Sequence, residues 1–378
     1  MSTDITGMET ASAEAPRLID VVDEIDAAWI QSVLRHSGIP AAAVAGVSLA
    51  PIGAGNVSDT VRVSIDYAGE PGDAPSALVV KLRPSNADIH AHGLRSGAYH
   101  REIGAYRSIS ERQSCRIPLK YWVAGDETTI NLVMEDLSTS TTPGDQVAGA
   151  GPEAAEAVVV ELARLHSEYF PLTDESADDW MIRLPDVCDY WSDAAGRGAA
   201  IALDRFADDL PVESLDAIRE ATELVREWHL LPHRRLTFTH GDPRVDNVLF
   251  DQSGDSVSAV IIDWQVTGLR NPMYDVGYFM SGSVDVADRR AHEMRLIRRY
   301  VEVFGERAAG YDLATATSDY QIQVLSGLYI SLAALDVLPD NPVVNRLILA
   351  LLERNCAAVI DWRSVAALRN VTLALGVG

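Results

Sequence analysis

His240-Gly241-Asp242-Pro243-Arg244-Val245-Asp246-Asn247-Val248-Leu249-Phe250, followed after a polar turn by Ala259-Val260-Ile261-Ile262-Asp263-Trp264, is the stretch from which the fold can be worked out. Val248–Phe250 and Val257–Ile262 are β-branched and apolar, and Asp251-Gln252-Ser253-Gly254-Asp255 between them has turn composition, so a β-hairpin is expected. A hairpin sets its two outer ends side by side. Asn247 enters the first strand and Asp263 leaves the second, so they are expected to face one another. An amide carbonyl and a carboxylate held on a rigid ladder suit Mg²⁺, which takes oxygen ligands and completes its shell with water and phosphate. Asp242 lies one loop turn away, within reach of the proton of a substrate hydroxyl.

Each residue has an ordinary reading on its own, because Asp and Asn both tolerate turn geometry. Their joint order around a hairpin is the informative feature. His240-Gly241-Asp242, Asn247 and Ile262-Asp263-Trp264-Gln265 resemble the aminoglycoside phosphotransferase and choline/ecdysteroid kinase-like superfamily. That resemblance implies a protein-kinase-like, two-lobed fold and ATP-dependent phosphorylation of hydroxyl groups on small molecules. It assigns Asp242 as catalytic base and Asn247 and Asp263 as Mg²⁺ ligands. Arg244 stands two residues after the base, where protein kinases commonly carry a lysine facing the transferred phosphate; a surface position or a pair with Asp246 is the other reading. Asp275 resembles a family aspartate that braces the catalytic loop.

Kinases of this architecture also need a strand lysine on the phosphates and a helix glutamate that positions it. Of the 31 Lys and Arg residues only Lys81 and Lys120 are lysines. Lys81 ends the apolar run Ala77-Leu78-Val79-Val80-Lys81-Leu82, where a compact ammonium is wanted, whereas Lys120 reads as a loop or edge lysine. Tyr99, Ile103, Tyr106 and Ile109 recur at helical steps, placing Glu102 beside the buried face of a helix from which it can hold Lys81. Glu111, near Arg112, is its rival.

Upstream, Gly53, Gly55, Asn56 and Ser58 precede an alternating strand and form a turn able to offer backbone N–H groups to phosphates. A Gly-x-Gly alone usually marks a tight hairpin, and the third glycine of a protein-kinase loop is missing. Downstream, Thr129–Ser138 runs from an apolar strand into acidic residues, as a hinge should. By the resemblance, main-chain groups of Met134, Glu135 and Asp136 bond the adenine edge and Val79 covers its face; a plain core valine is the alternative for Val79.

Composition excludes several classes. A net charge of −24 argues against nucleic acid, whose binding rests on basic patches. No apolar run long enough for a membrane helix occurs. Cys115, Cys188 and Cys356 form neither a metal spacing nor a disulfide framework, which fits a reducing cytosol, so a cytoplasmic protein is expected. The acidic surplus permits a cationic substrate. Asp174–Asp193 and Asp204–Asp209, interleaved with Trp180, Tyr190 and Trp191, are where such a substrate would be met, although acidic runs are usually solvated faces.

The expectation is an α+β, protein-kinase-like two-lobed fold. Residues 1–20 form a disordered tail, 21–135 an N-terminal nucleotide-binding lobe with an antiparallel sheet and the Glu102 helix, and 136–378 a mainly helical catalytic and substrate-binding lobe. Its activity is ATP- and Mg²⁺-dependent phosphorylation of a small hydroxylated molecule. Two other classes remain: a regulatory module that binds nucleotide without turnover, and a metal-dependent hydrolase built on His240, Asp242 and Asp263. No motif selects the acceptor or an oligomeric state.

Overall fold

Five strands early in the chain pair into one antiparallel sheet in the computed structural model, which describes residues 14–53, 58–232, 235–254, 256–305 and 310–376. They are β1 (Val44–Pro51), β2 (Asp59–Tyr67), β3 (Ala77–Leu82), β4 (Lys120–Gly125) and β5 (Ile130–Glu135), in the order β1-β2-β3-β5-β4. Because successive Cβ atoms alternate across a strand, Leu78, Val80 and Leu82 of β3 share one face and Val79 and Lys81 the other. The first face packs with Val61, Val63 and Ile65 of β2 against α1 (Ala27–His36), whose Trp29, Ile30, Val33 and Leu34 are buried in the same core. Asp26 caps α1 by accepting the Trp29 N–H at 2.7 Å. α2 (Ala87–Ser96) and α3 (Ala98–Arg112) follow β3, and α3 carries Glu102.

The described residues up to Arg107 form one compact unit with Pro118–Leu137, while Ser108–Ile117 and the chain from Ser138 onward form a second. Residues 1–13 lie outside the described residues. The end of the expected tail is not loose: Ile19 is buried, its N–H donates to Asn131 Oδ1 at 2.9 Å, and its carbonyl accepts from Asn131 Nδ2 at 2.7 Å. A buried amide in β5 needs partners, and the backbone of Ile19 supplies both. Lys120 opens the edge strand of the sheet.

The second unit is mainly helical, with two small sheets. β6 (Thr142–Pro143), β7 (Ile182–Arg183), β8 (Thr237–Thr239), β9 (Val248–Asp251), β10 (Ser258–Ile261) and β11 (Gly268–Arg270) pair as β10-β9-β6 and β7-β11-β8. The helices are α4 (Pro152–Tyr169), α5 (Cys188–Arg205), α6 (Val212–Thr222), α7 (Val225–His229), α8 (Met273–Ser283), α9 (Val286–Phe304), α10 (Leu313–Gln323), α11 (Leu325–Leu335), α12 (Pro342–Trp362) and α13 (Ser364–Leu375). The stretch Tyr320–Leu338 is divided between two helices, α10 and α11, meeting at Val324. All eleven residues of α8 are buried, so this helix is a central post of the unit. Among the described residues no helix is long and apolar enough to cross a membrane.

Candidate active site

The expected hairpin forms as β9 and β10, with Val248 opposite Ile261. One further hydrogen bond, Ile262 N–H to Asn247 O at 3.0 Å, extends the pairing past the strands and sets Asn247 beside the segment that carries Asp263. Asp263 has φ +67, the left-handed region that Asp tolerates better than most residues. One of its carboxylate oxygens accepts from Gln265 Nε2 at 3.1 Å.

Asp242 is held from several sides. Tyr278 Oη donates to Oδ1 at 2.8 Å, and Asn247 Nδ2 donates to Oδ2 at 3.2 Å and to the Asp242 carbonyl at 2.9 Å. Both Asn247 N–H bonds are thereby spent, and its carbonyl oxygen is the atom left for a cation. Arg244 lies against Asp242 rather than Asp246, its Nε 3.4 Å from Oδ2. Asp246 instead accepts the Gln146 N–H at 2.8 Å. The Asp242 carboxylate first, with Tyr278, Asp246 and Asp263 behind it, pushes the Arg244 pKa up against the opposing effect of burial. Burial, reinforced by the Asp242 charge, raises the Tyr278 phenol well above its usual range, so it remains a donor.

The loop is fixed from beneath by Asp275, which accepts the His240 N–H at 2.6 Å and the Gly241 N–H at 2.9 Å. Burial opposes charge on Asp275, but the His166 hydrogen bond, the electrostatic pull of the His166 and His240 rings and the Gly241 N–H outweigh it and hold its pKa low. His166 is a fully buried histidine with both nitrogens engaged, by Asp275 at 3.0 Å and Tyr300 Oη at 2.8 Å. His240 ties loop to hairpin: Nδ1 accepts the Asp242 N–H at 3.2 Å, so Nε2 carries the proton and donates to Ile262 O at 3.0 Å. Gly241 has φ +88, and a Cβ there would lie 2.2 Å from Val266 O, so only glycine fits.

In the first unit, Lys81 Nζ donates to Glu102 Oε1 at 2.7 Å, with Lys81 8 % and Glu102 2 % exposed. Glu102, not Glu111, is the partner. Val79 is half-buried on the same face of β3 and pairs with Met134 of β5. The side chains of Glu135 and Asp136 are engaged by their own unit, Glu135 by the Leu119 N–H at 3.0 Å and Asp136 by Arg62 Nε at 2.6 Å. The Glu135 N–H is spent on Leu119 O at 2.8 Å, which withdraws that one main-chain donor from the expected adenine contacts. Gly53 has φ +72 after β1, and Ser58 is buried with its hydroxyl 3.4 Å from Thr60 Oγ1. Gly55 and Asn56 lie outside the described residues.

Among the described residues no group of three or more His, Cys, Asp and Glu is arranged to hold a metal. An Asn–Asp pair that leaves most of the shell to phosphate and water is not such a group, and its oxygens suit a hard cation. Tyr278, Gln146 and the bridging role of His240 escaped the sequence reading. Tyr278 had a signal, because it follows Asp275 by three residues and so shares its helix face. Gln146, whose side chain accepts the Val245 N–H at 3.0 Å, comes from a distant loop and had none.

Residues 48–313 match the family model described as "Phosphotransferase enzyme family" (APH). No curated protein matches the chain in sequence at a significant level. Among solved structures, the GDP complex of wild-type aminoglycoside 2'-phosphotransferase-IIIa superposes with TM-score 0.52 at 16% identity, covering 88% of this chain and 98% of that one. Plasmodium vivax ethanolamine kinase gives TM-score 0.49 at 10% identity, covering 89% of each chain. Choline kinase from Cryptosporidium parvum Iowa II gives 0.49 at 11% identity, covering 88% of this chain and 91% of that one. The first of these likenesses carries the protein-kinase-like α+β fold. With the family model matched over most of its length, this chain belongs to the phosphotransferase enzyme family.

Proposed function

We propose that this chain is a small-molecule kinase that transfers the γ-phosphoryl group of ATP to a hydroxyl, with Mg²⁺ as its metal. The observation that carries the reading is the setting of Asp242: a carboxylate oriented by Tyr278 and Asn247 and backed by Arg244. In this reading Asp242 takes the acceptor's hydroxyl proton as the acceptor oxygen bonds to phosphorus and ADP leaves. Lys81, held by Glu102, engages the phosphates; Asn247 and Asp263 hold Mg²⁺; Arg244 faces the charge that develops on the moving group. Mg²⁺, when bound, supplies neutralisation of phosphate charge. Backbone of the Met134–Asp136 segment and the Gly53 turn complete the nucleotide contacts. Little covalent chemistry is asked of the protein, so orientation and electrostatics provide the rate.

Both His240 nitrogens are committed within the loop, which counts against a hydrolase that would use them on a metal. The test is ADP release in the presence of ATP·Mg²⁺ across amino alcohols, aminoglycosides, sugars, sterols and hydroxy acids, with Asp242→Asn as control. Acceptor-dependent ADP release abolished by Asp242→Asn supports the reading. Full turnover in that variant, or no ADP release with any acceptor, removes it.

A further inference from the structure

Beside Asp242 the second unit encloses a cavity of about 110 Å³. Its walls are apolar and aromatic, with Trp191, Trp228, Tyr274 and Tyr329 around it and Ile182 and Leu184 at one side. A cavity of ~150 Å³ admits benzene, so this one accepts a body of about four or five heavy atoms. Besides Asp242 and the aromatic rings, Arg270 and His229 are the polar residues of its lining.

Arg270 is the unusual one. Arg270, Arg289 and Arg354 are the buried arginines among the described residues. Arg289 is held by Glu293 and Asp361, and Arg354 lies 3.8 Å from Asp285. Arg270 has no carboxylate partner among the described residues. It donates from Nη1 to Thr239 Oγ1 at 3.0 Å and from Nη2 to Val266 O at 3.1 Å, and it lies 4.7 Å above the Tyr274 ring. Its Nε–H, at a residue 4 % exposed, has no partner, and neither has the indole N–H of Trp228, 1 % exposed. A buried cation without a counter-ion is costly, and costly buried groups concentrate where a ligand completes them. Both residues line the cavity, and two donors left without acceptors in its wall call for an acceptor-rich, anionic group.

His229 points the same way. Its Nδ1 is 2.8 Å from the Val225 carbonyl, which can only accept, so Nδ1 bears the proton. Burial, the largest effect, outweighs the upward pull of that hydrogen bond and, with a lesser contribution from the Arg270 charge, lowers its pKa to about 4. Away from Asp242 the cavity therefore holds a neutral imidazole and a guanidinium without a carboxylate partner, which favours a carboxylate over an ammonium there. Of the interleaved aromatics Trp180, Tyr190 and Trp191, only Trp191 lines it, and none of the acidic residues around them does. Asp189 of that run pairs with Arg226, and Asp174 with Arg183.

We propose that the phosphoryl acceptor is a small hydroxy acid, with its hydroxyl at Asp242, its apolar body between Trp191 and Trp228, and its carboxylate on Arg270 and the Trp228 N–H. This rests on the kinase reading for the word acceptor, but the pocket's preference for a carboxylate stands on the cavity alone. The whole-chain charge of −24 is no obstacle, because surface charge is screened within about 8–10 Å at physiological salt.

Titration calorimetry without nucleotide would compare matched sets on one carbon skeleton: hydroxy acid, its amide, and the amino alcohol. The acid is expected to bind at least tenfold more tightly than either. Arg270→Gln should bring the acid-to-amide ratio close to one, Arg270→Lys should restore part of it, and Trp228→Phe should lower it several-fold while keeping the aromatic wall. Thermal melts would confirm that each variant is folded, and Trp228→Phe keeps the test alive if Arg270→Gln is not. Equal binding of the three ligands, tighter binding of the amino alcohol, or an unchanged ratio in folded Arg270→Gln and Trp228→Phe would overturn the proposal. Acid-selective binding with no ADP release would support the ligand class and remove the kinase reading; turnover of amino alcohols alone would keep that reading and remove the ligand class.

Discussion

Replacing Tyr278 by Phe deletes one oxygen from a wholly buried helix and leaves the ring where it is. The lost contact is the 2.8 Å hydrogen bond to Asp242 Oδ1. A hydrogen bond to a charged group is worth about 1.5–3 kcal/mol. If that bond is what aims the carboxylate at the acceptor hydroxyl, so that its worth is expressed in the transition state, its loss slows turnover by about 10- to 150-fold at 1.4 kcal/mol per decade. Asn247 still donates to Oδ2, which places the outcome toward the lower end, about 10- to 30-fold. Tyr278 is assigned no nucleotide contact, so the KM for ATP should hold within about twofold while kcat falls, the pattern of an interaction made in the transition state. Steady-state ADP release for wild type, Tyr278→Phe, Asp242→Asn and the double variant would measure this. The double variant should be no slower than Asp242→Asn, because the phenol acts only through that carboxylate. An unchanged kcat in Tyr278→Phe, or additive losses in the double variant, would refute the coupling.

Lys81→Met should lower kcat/KM for ATP by about 10- to 100-fold, the worth of a charge-assisted contact to phosphate, and saturation with the acceptor should not restore it. His229 makes stability fall in acid: its folded pKa of about 4 lies below the ordinary 6.5. The benefit of keeping it neutral is complete above pH 6.5 and is lost as pH drops toward 4, at up to about 1.4 kcal/mol per pH unit and about 3 kcal/mol in all. Denaturant melts between pH 7 and 4.5 should show that slope, and His229→Gln should flatten it. Gly241→Ala should cost about 2–3 kcal/mol, since a Cβ at φ +88 would press on the Val266 carbonyl; a midpoint unchanged in urea would contradict the fit.

The residues legible from sequence were those whose chemistry is local. The hairpin announced itself through β-branched runs around a turn, and Lys81 and Glu102 through a strand end and a helical period. Their contact at 2.7 Å needed only that α3 pack on the face of β3 opposite α1. What the sequence hid was long-range. Arg270 is separated from Asp242 by the hairpin, and Gln146 precedes it by nearly a hundred residues, so no spacing rule connects them; Tyr278 is linked to the loop only through its helical step from Asp275. Around Trp180–Trp191 composition records which residues are near in sequence, whereas the fold separates them: of the pair on α5, Trp191 lines the cavity and Tyr190 does not, and Trp180 packs on Phe238. The break between α10 and α11 at Val324 carries neither Gly nor Pro at the junction to announce it.

The near-absence of lysine has a practical corollary. With Lys120 on the rim of the sheet and Lys81 closed in with its glutamate, an acylating reagent finds very different side-chain amines in the folded chain. Modification at Lys120 marks accessible surface. Modification at Lys81 requires the ammonium to leave Glu102 and lose its proton, so its rate, read by mass spectrometry, becomes a clock for opening of the β3–α3 pair. A background of arginine, silent to such reagents, leaves that signal uncluttered.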